Sequence, residues 1–138
     1  MIFKKTFRNK KVLITGHTGL KGSWLSLWLS QLGADVYGIS NNFEINKTNF
    51  KNFKMEKNIK NYNIDIRNFK KFNKIINYIK PNFIFHFAAQ SLVGESFKKP
   101  IYNFETNFNG TLNLVEILRL AKFKCVTILI TSDKSYKN

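Results

Sequence analysis

One stretch, Lys11 to Trp28, constrains this chain more than any other; it reads KVLITGHTGLKGSWLSLW. Val12, Leu13 and Ile14 form a short apolar run that ends in a glycine-rich turn. Gly16, Gly19 and Gly22 recur at three-residue spacing, and a largely apolar run from Leu20 to Leu32 follows at once. Strand, tight turn and helix in that order make the phosphate-holding opening of a Rossmann unit. The first glycine permits the turn, the second lets a ligand approach the backbone, and the third lets the helix pack on the strand. Unpaired N–H groups at the helix start then face a pyrophosphate. The plain alternative is a glycine-rich turn with no ligand. A kinase-type P-loop does not fit, because Lys21 precedes Gly22 where GxxxxGK[ST] needs it to follow.

The rest of the chain repeats the same alternation. The first strand is expected over Lys11–Thr15 and a helix from Leu20, with Leu20, Trp24, Leu27, Trp28 and Gln31 along one side and Leu25, Leu29 and Leu32 widening the apolar surface. Gly33 ends that helix. Asp35–Ile39 reads as the second strand, Asn61–Ile64 as the third, Phe83–Phe87 as the fourth and Cys125–Ile130 as the fifth. Phe69, Phe72, Ile75, Ile76 and Ile79 recur at helical spacing before Pro81. The longest helix is expected over Pro100–Ala121, with Phe104, Phe108, Leu112, Val115 and Leu118 as its stripe. Phe43 to Lys60 is a lysine- and asparagine-rich loop or short helix. This pattern predicts an α/β fold, a Rossmann-type doubly wound parallel sheet, incomplete, of about five strands with flanking helices. Its cofactor residues gather at the carboxyl ends of the strands.

Several polar positions stand at those ends. Asp65 is placed to meet an adenine amine or to cap the next helix, a role Asn68 also fits. Ala88 and Ala89 leave room for a cofactor, and Gln90 and Ser91 offer polar groups. His86 reads as a satisfied core histidine rather than a catalyst. The second strand ends Ile39, Ser40, Asn41, Asn42, without the acid of an NAD fingerprint, and Lys47 is the nearest cation for a 2′-phosphate; this leans towards NAD over NADP.

The 138 residues suffice for one domain, with residues 1–9 as a basic lead in which Phe3 and Phe7 dock on the sheet edge. A single cysteine, Cys125, reads as a small buried hydrophobe, and two histidines without companions make no metal site. The opening carries no secretory pattern and no run approaches eighteen apolar residues, so a cytoplasmic chain without membrane contact is expected. The formal charge of +15 is almost all lysine, with only Arg8, Arg67 and Arg119, and no nucleic-acid module accompanies it. Salt-dependent attraction to polyanions is expected, not specific nucleic-acid binding.

Four segments carry a family resemblance: GHTGLKGSW (Gly16–Trp24), HFAAQSLV (His86–Val93), ETNFNGTLNLVE (Glu105–Glu116) and TSDKSYKN (Thr131–Asn138). Together they resemble the extended short-chain dehydrogenase/reductase superfamily, and within it the CDP-glucose 4,6-dehydratases; AAQSLVGESF also resembles GDP-mannose 4,6-dehydratases. The resemblance implies NAD as cofactor and a nucleotide sugar, CDP-glucose first, as substrate. It implies that Gly16, Thr18, Gly19, Leu20, Lys21 and Gly22 surround the pyrophosphate, that Asp65 and Ile66 meet adenine, and that Phe87, Ala88, Ala89 and Gln90 line the dinucleotide with Asn107 in support. Ser132, Asp133 and Lys134 match the family's active-site positions, the serine at the sugar 4-hydroxyl and the Asp–Lys pair moving the proton as water leaves. It also implies a homodimer through helix 100–121.

Family enzymes use a tyrosine base with a lysine four residues on, in a helix beyond the fifth strand. No Tyr-x-x-x-Lys occurs in these 138 residues. Residues 10–138 are therefore expected to be the N-terminal part of the NAD-binding domain, truncated before that helix and the sugar-binding domain, and inactive alone. A stand-alone dinucleotide-binding module and half of a split enzyme are the alternatives.

Overall fold

The computed structural model describes residues 2–41 and 59–131. Residues 42–58, which take in most of the Phe43 to Lys60 stretch and Lys47, and the TSDKSYKN segment from Ser132 onward, with Ser132, Asp133, Lys134 and Tyr136, lie outside the described residues. Five strands, β1 (Lys11–Thr15), β2 (Asp35–Ser40), β3 (Lys60–Asn63), β4 (Phe83–His86) and β5 (Val126–Leu129), form one sheet in the order β3-β2-β1-β4-β5. Every neighbouring pair is parallel. The order reverses between β1 and β4, so the crevice of a doubly wound sheet opens beyond the carboxyl end of β1.

Alternation along the central strands divides the core between two faces. Leu13, Tyr37, Ile39 and Ile84 point to one face and meet Phe72, Ile76 and Ile79 of α3 (Phe69–Ile79) and Leu114 and Ile117 of α6 (Gly110–Leu120). Val12, Ile14 and Val36 point to the other and meet Leu29 and Leu32 of α2 (Leu20–Gln31) and its C-cap. The basic lead is itself a helix, α1 (Ile2–Phe7). Phe7 packs on the sheet face, its ring 5.0 Å from that of Phe83.

Two expected helix faces hold only in part: Leu25, Leu27, Leu29 and Leu32 of the first and Leu118 of the second pack on the core, and the other large apolar residues of those faces do not. In α2 the buried residues are Gly22, Ser23, Ser26 and Leu29, whereas Leu20, Trp24 and Trp28 are 69%, 55% and 44% exposed. The serines suit that buried side because Ser26 Oγ donates back to the Gly22 carbonyl (2.7 Å) and Ser23 Oγ to that of Leu20 (3.0 Å). The long helix starts as α5 (Pro100–Phe104), widens into a π-helical turn over Glu105–Asn109, and continues as α6. It buries Thr106, Gly110, Leu114 and Ile117, and leaves Phe104, Phe108, Leu112 and Val115 exposed. A short α4 (Val93–Lys98) precedes it. Cys125 is only half-buried, since β5 is a sheet edge among the described residues.

Candidate functional site

The glycine turn leaves β1 at Thr15 and enters α2 at Gly19. Gly16 has φ +73°, a left-handed conformation that side-chain-bearing residues rarely adopt. Its amide donates to the Ile39 carbonyl (2.7 Å), tying the turn to β2, and the Gly19 amide donates to the Gly16 carbonyl (3.0 Å). A Cβ on Gly16 would lie 2.8 Å from Ala88 N and 2.9 Å from Phe87 C. A Cβ on Gly22 would run into the Gly16 carbonyl group and lie 2.8 Å from His17 Cα. The first and third glycines are thus enforced by backbone packing. Gly19 is the N-cap of α2 and provides no side-chain cap, so the first amides of the helix are open to an anion.

Behind the turn, His17 is buried on the bare Cα of Gly38; a Cβ there would overlap its ring. Burial lowers its pKa to about 4, partly offset by polar contact with the Ile39 backbone and the Asn61 side chain. Thr18 is buried, and Leu20 and Lys21 are exposed at the mouth of the turn.

The β4 end runs beside this turn. The Ala88 amide donates to Thr15 Oγ1 (3.2 Å). Asn107, in the π-helical turn, grips the next loop with both ends of its amide: Oδ1 accepts from Gln90 N (2.7 Å) and Nδ2 donates to Gln90 O (3.0 Å). Asn103 Nδ2 adds a second donor to the same carbonyl (3.2 Å). Phe87 and Ala88 are therefore brought against Gly16, and Gln90 is held by Asn107 and Asn103.

Asp65 stands at the end of β3 and does not cap α3. Asn68 does, accepting from Lys71 N (3.1 Å). Asp65 instead receives Arg67 Nε (3.1 Å), Nη2 (2.6 Å) and the Arg67 backbone amide (2.9 Å). Arg67 beside it holds the carboxyl below its usual range, against the opposing effect of partial burial. The guanidinium also reaches Glu105 Oε2 (3.0 Å) and lies 4.5 Å from the centre of the Tyr102 ring. Asp65, Arg67 and Glu105 border an open hollow of about 590 Å³ shared with Asn109 and Asn113. Ile66 turns its side chain into the core against Gly110, and its carbonyl accepts from Asn113 Nδ2 (3.0 Å). The Arg67 and Asn113 contacts carry no local sequence signal, since their partners lie 38 and 47 residues apart.

A tightly packed glycine turn and an uncapped helix start thus stand at the crevice, with a polar hollow at the far strand. The family model for GDP-mannose 4,6 dehydratase matches residues 13–136. The chain belongs to the GDP-mannose 4,6-dehydratase family. Within this dehydratase family and its relatives, the chain is 40% identical to a CDP-glucose 4,6-dehydratase of Salmonella typhimurium over its full length. It is 32% identical, over 80% of its length, to a GDP-mannose 4,6-dehydratase of Vibrio cholerae. It spans 38% and 32% of those two dehydratases. Among solved structures, an epimerase from Methanothermobacter thermautotrophicus overlays all of the chain with TM-score 0.82 at 25% identity, the chain covering 40% of it. A UDP-glucose 4-epimerase of Thermus thermophilus, solved with NAD, overlays 80% of the chain with TM-score 0.70 at 29% identity, the chain covering 34% of it. Among the described residues of this dehydratase-family chain, no group of His, Cys, Asp and Glu could hold a metal, and no helix is long and apolar enough to cross a membrane.

Proposed function

We propose that this chain is the dinucleotide-holding part of a nucleotide-sugar 4,6-dehydratase, with NAD in the crevice and CDP-glucose as the favoured substrate. The observation that carries the reading is the backbone packing of Gly16 and Gly22 beneath the uncapped start of α2. The turn formed by Gly16, Thr18, Gly19, Leu20, Lys21 and Gly22 would surround the pyrophosphate, with the amides at the start of α2 as donors, those of Gly16 and Gly19 being engaged by the Ile39 and Gly16 carbonyls. Asp65, whose two oxygens already take four contacts from Arg67, and Ile66 beside it would meet the adenine end. Phe87, Ala88, Ala89 and Gln90 would line the middle of the dinucleotide, with the Gln90 loop held by Asn107. NAD held there would supply the hydride acceptor and donor for the sugar. Ser132, Asp133 and Lys134 are assigned on resemblance alone: the serine hydrogen-bonds the sugar 4-hydroxyl, and the Asp–Lys pair carries the proton as water leaves C5 and C6.

The favoured sugar nucleotide rests on the 40% identity to the Salmonella enzyme. GDP-mannose is the second reading, supported by the family model. Residues 10–138 form the N-terminal part of the cofactor domain in this proposal; further strands would pair with β5, whose Val126, Ile128, Leu129 and Ile130 are apolar and exposed. The exposed Phe104, Phe108, Leu112 and Val115 support a homodimer through helix 100–121.

With no Tyr-x-x-x-Lys in these residues, binding is the direct test. Calorimetric titration with NAD is expected to saturate at one site per chain, and CDP-glucose added afterwards is expected to produce no 4-keto product. A flat titration overturns the cofactor reading, and 4-keto product overturns the assignment as the holding part alone.

A further inference from the structure

His86 is buried in the sheet and has no part in the cradle, yet both of its ring nitrogens are engaged. Nδ1 lies 2.7 Å from Thr15 Oγ1 and Nε2 lies 3.2 Å from Thr111 Oγ1. The directions of these bonds follow from the neighbours. Thr111 has one hydroxyl proton, and it is donated to the Asn107 carbonyl (2.7 Å). Towards His86, Thr111 can only accept, so Nε2 carries a proton. Burial lowers the ring's pKa to about 4, so it holds one proton at neutral pH. Nδ1 is then bare and accepts from the Thr15 hydroxyl. Thr15 in turn accepts from the Ala88 amide (3.2 Å).

The result is one directed chain: Ala88 N–H to Thr15 O–H to His86 Nδ1, then His86 Nε2–H to Thr111 O–H to the Asn107 carbonyl. One end fixes the backbone that lies against Gly16. The other fixes the residue whose side chain grips Gln90. We propose that His86, as the Nε2–H tautomer, is a positioning residue that locks the Ala88–Gln90 loop in register with the glycine turn. The link between this loop and dinucleotide affinity rests on the cofactor reading above; the directed chain itself does not.

Thr111→Val removes one link and keeps the shape, while Thr111→Ser keeps the hydroxyl. Nitrogen-15 NMR of the wild-type chain is expected to show His86 with a bare Nδ1 and a protonated Nε2 at neutral pH. Amide exchange at Ala88 and Gln90 is expected to be about tenfold faster in Thr111→Val and close to wild type in Thr111→Ser, on the scale of one lost hydrogen bond. NAD dissociation constants should follow the same order, with a rise of about two- to tenfold for the valine variant. A proton on Nδ1, or unchanged exchange at both amides in a folded Thr111→Val protein, overturns the role of His86. A wild-type chain that takes up no NAD while these two readouts hold overturns the cofactor reading and leaves the lock standing.

Discussion

The close packing of the glycine turn makes a prediction whose sign is set by two opposed effects at Gly22. Alanine there gains about 1 kcal/mol of helix propensity over glycine in α2. Against this, the new Cβ meets the Gly16 carbonyl, with Gly16 C at 2.9 Å and His17 Cα at 2.8 Å. All are backbone atoms of a turn whose Gly16 is already tied to Ile39. Overpacking that forces backbone shifts costs about 1–3 kcal/mol, and the absence of any movable side chain puts Gly22 at the upper end. Gly22→Ala is therefore expected to destabilise by about 1–2 kcal/mol, lowering the melting temperature by about 4–8 °C for a chain of this size. Gly94 and Gly110 provide the controls. Nothing lies within 4 Å of a Cβ at Gly94, in α4, so Gly94→Ala is expected to stabilise by about 0.5 kcal/mol. At Gly110 the obstacle is the Ile66 side chain, with Cγ1 at 2.7 Å, and it can rotate away. Gly110→Ala is expected within about 1 kcal/mol of wild type, propensity offsetting repacking. Calorimetric melting and urea unfolding of the three variants read the series. A Gly22→Ala protein as stable as Gly94→Ala would refute the claim that backbone contact, and not helix propensity, selects glycine there.

The remaining predictions concern charge and burial. His17 and His86 both have folded pKa values lowered from 6.5 to about 4, so the unfolded chain takes up protons first as pH falls. Stability should be level above pH 7 and drop between about 6.5 and 4, on the order of 3 kcal/mol per histidine, and His86→Gln should roughly halve the drop in urea titrations. Asp65 has the same sign at lower pH: its contribution is present above the usual carboxylate pKa and is lost as pH falls through its depressed value. Arg67→Met should cost about 1 kcal/mol at neutral pH, allowing for solvent screening, and the gap to wild type should close below about pH 4. Phe72, fully buried beneath the sheet, should cost about 3–5 kcal/mol as alanine. Phe108→Glu on the exposed stripe should move sedimentation towards monomer and remove any concentration dependence of the melting temperature if a second copy covers that face.

The strands and the turn were legible because they are decided locally. A strand covered on both faces is mostly apolar, and β1 and β4 read that way apart from Lys11, Thr15 and His86 at their ends. A turn that brings Gly16 under Ala88 leaves no space for a side chain, so its glycines announce themselves. The supports of the site were less legible. Asn107 entered through the family resemblance, and its bidentate hold on Gln90 depends on the loop fold. The pairings of Arg67 with Glu105 and of His86 with Thr111 join residues 38 and 25 apart, and no periodicity records such a meeting.

The departures from expectation on the two helices share a physical cause. Periodicity selects the most apolar side of a helix, on the premise that the largest side chains go inward. Near the crevice the premise fails. At the crevice end α2 buries Gly22, Ser23 and Ser26, and the long helix buries Thr106 and Gly110; only further along do Leu29, Leu114 and Ile117 take over. Small residues bring each helix close to the strand ends, and each close approach has a visible consequence. At Gly22 the helix start meets the glycine turn. At Gly110 the gap admits the Ile66 side chain, which leaves Asp65 beside it at the hollow. The taper from small to large along both helices follows from a sheet that must be sealed at one end and open at the other. Bulky aromatics on the outer faces, such as Trp24 and Phe108, then mark surfaces facing away from the sheet, so the buried side is better sought from the small residues next to the motif than from the apolar sum.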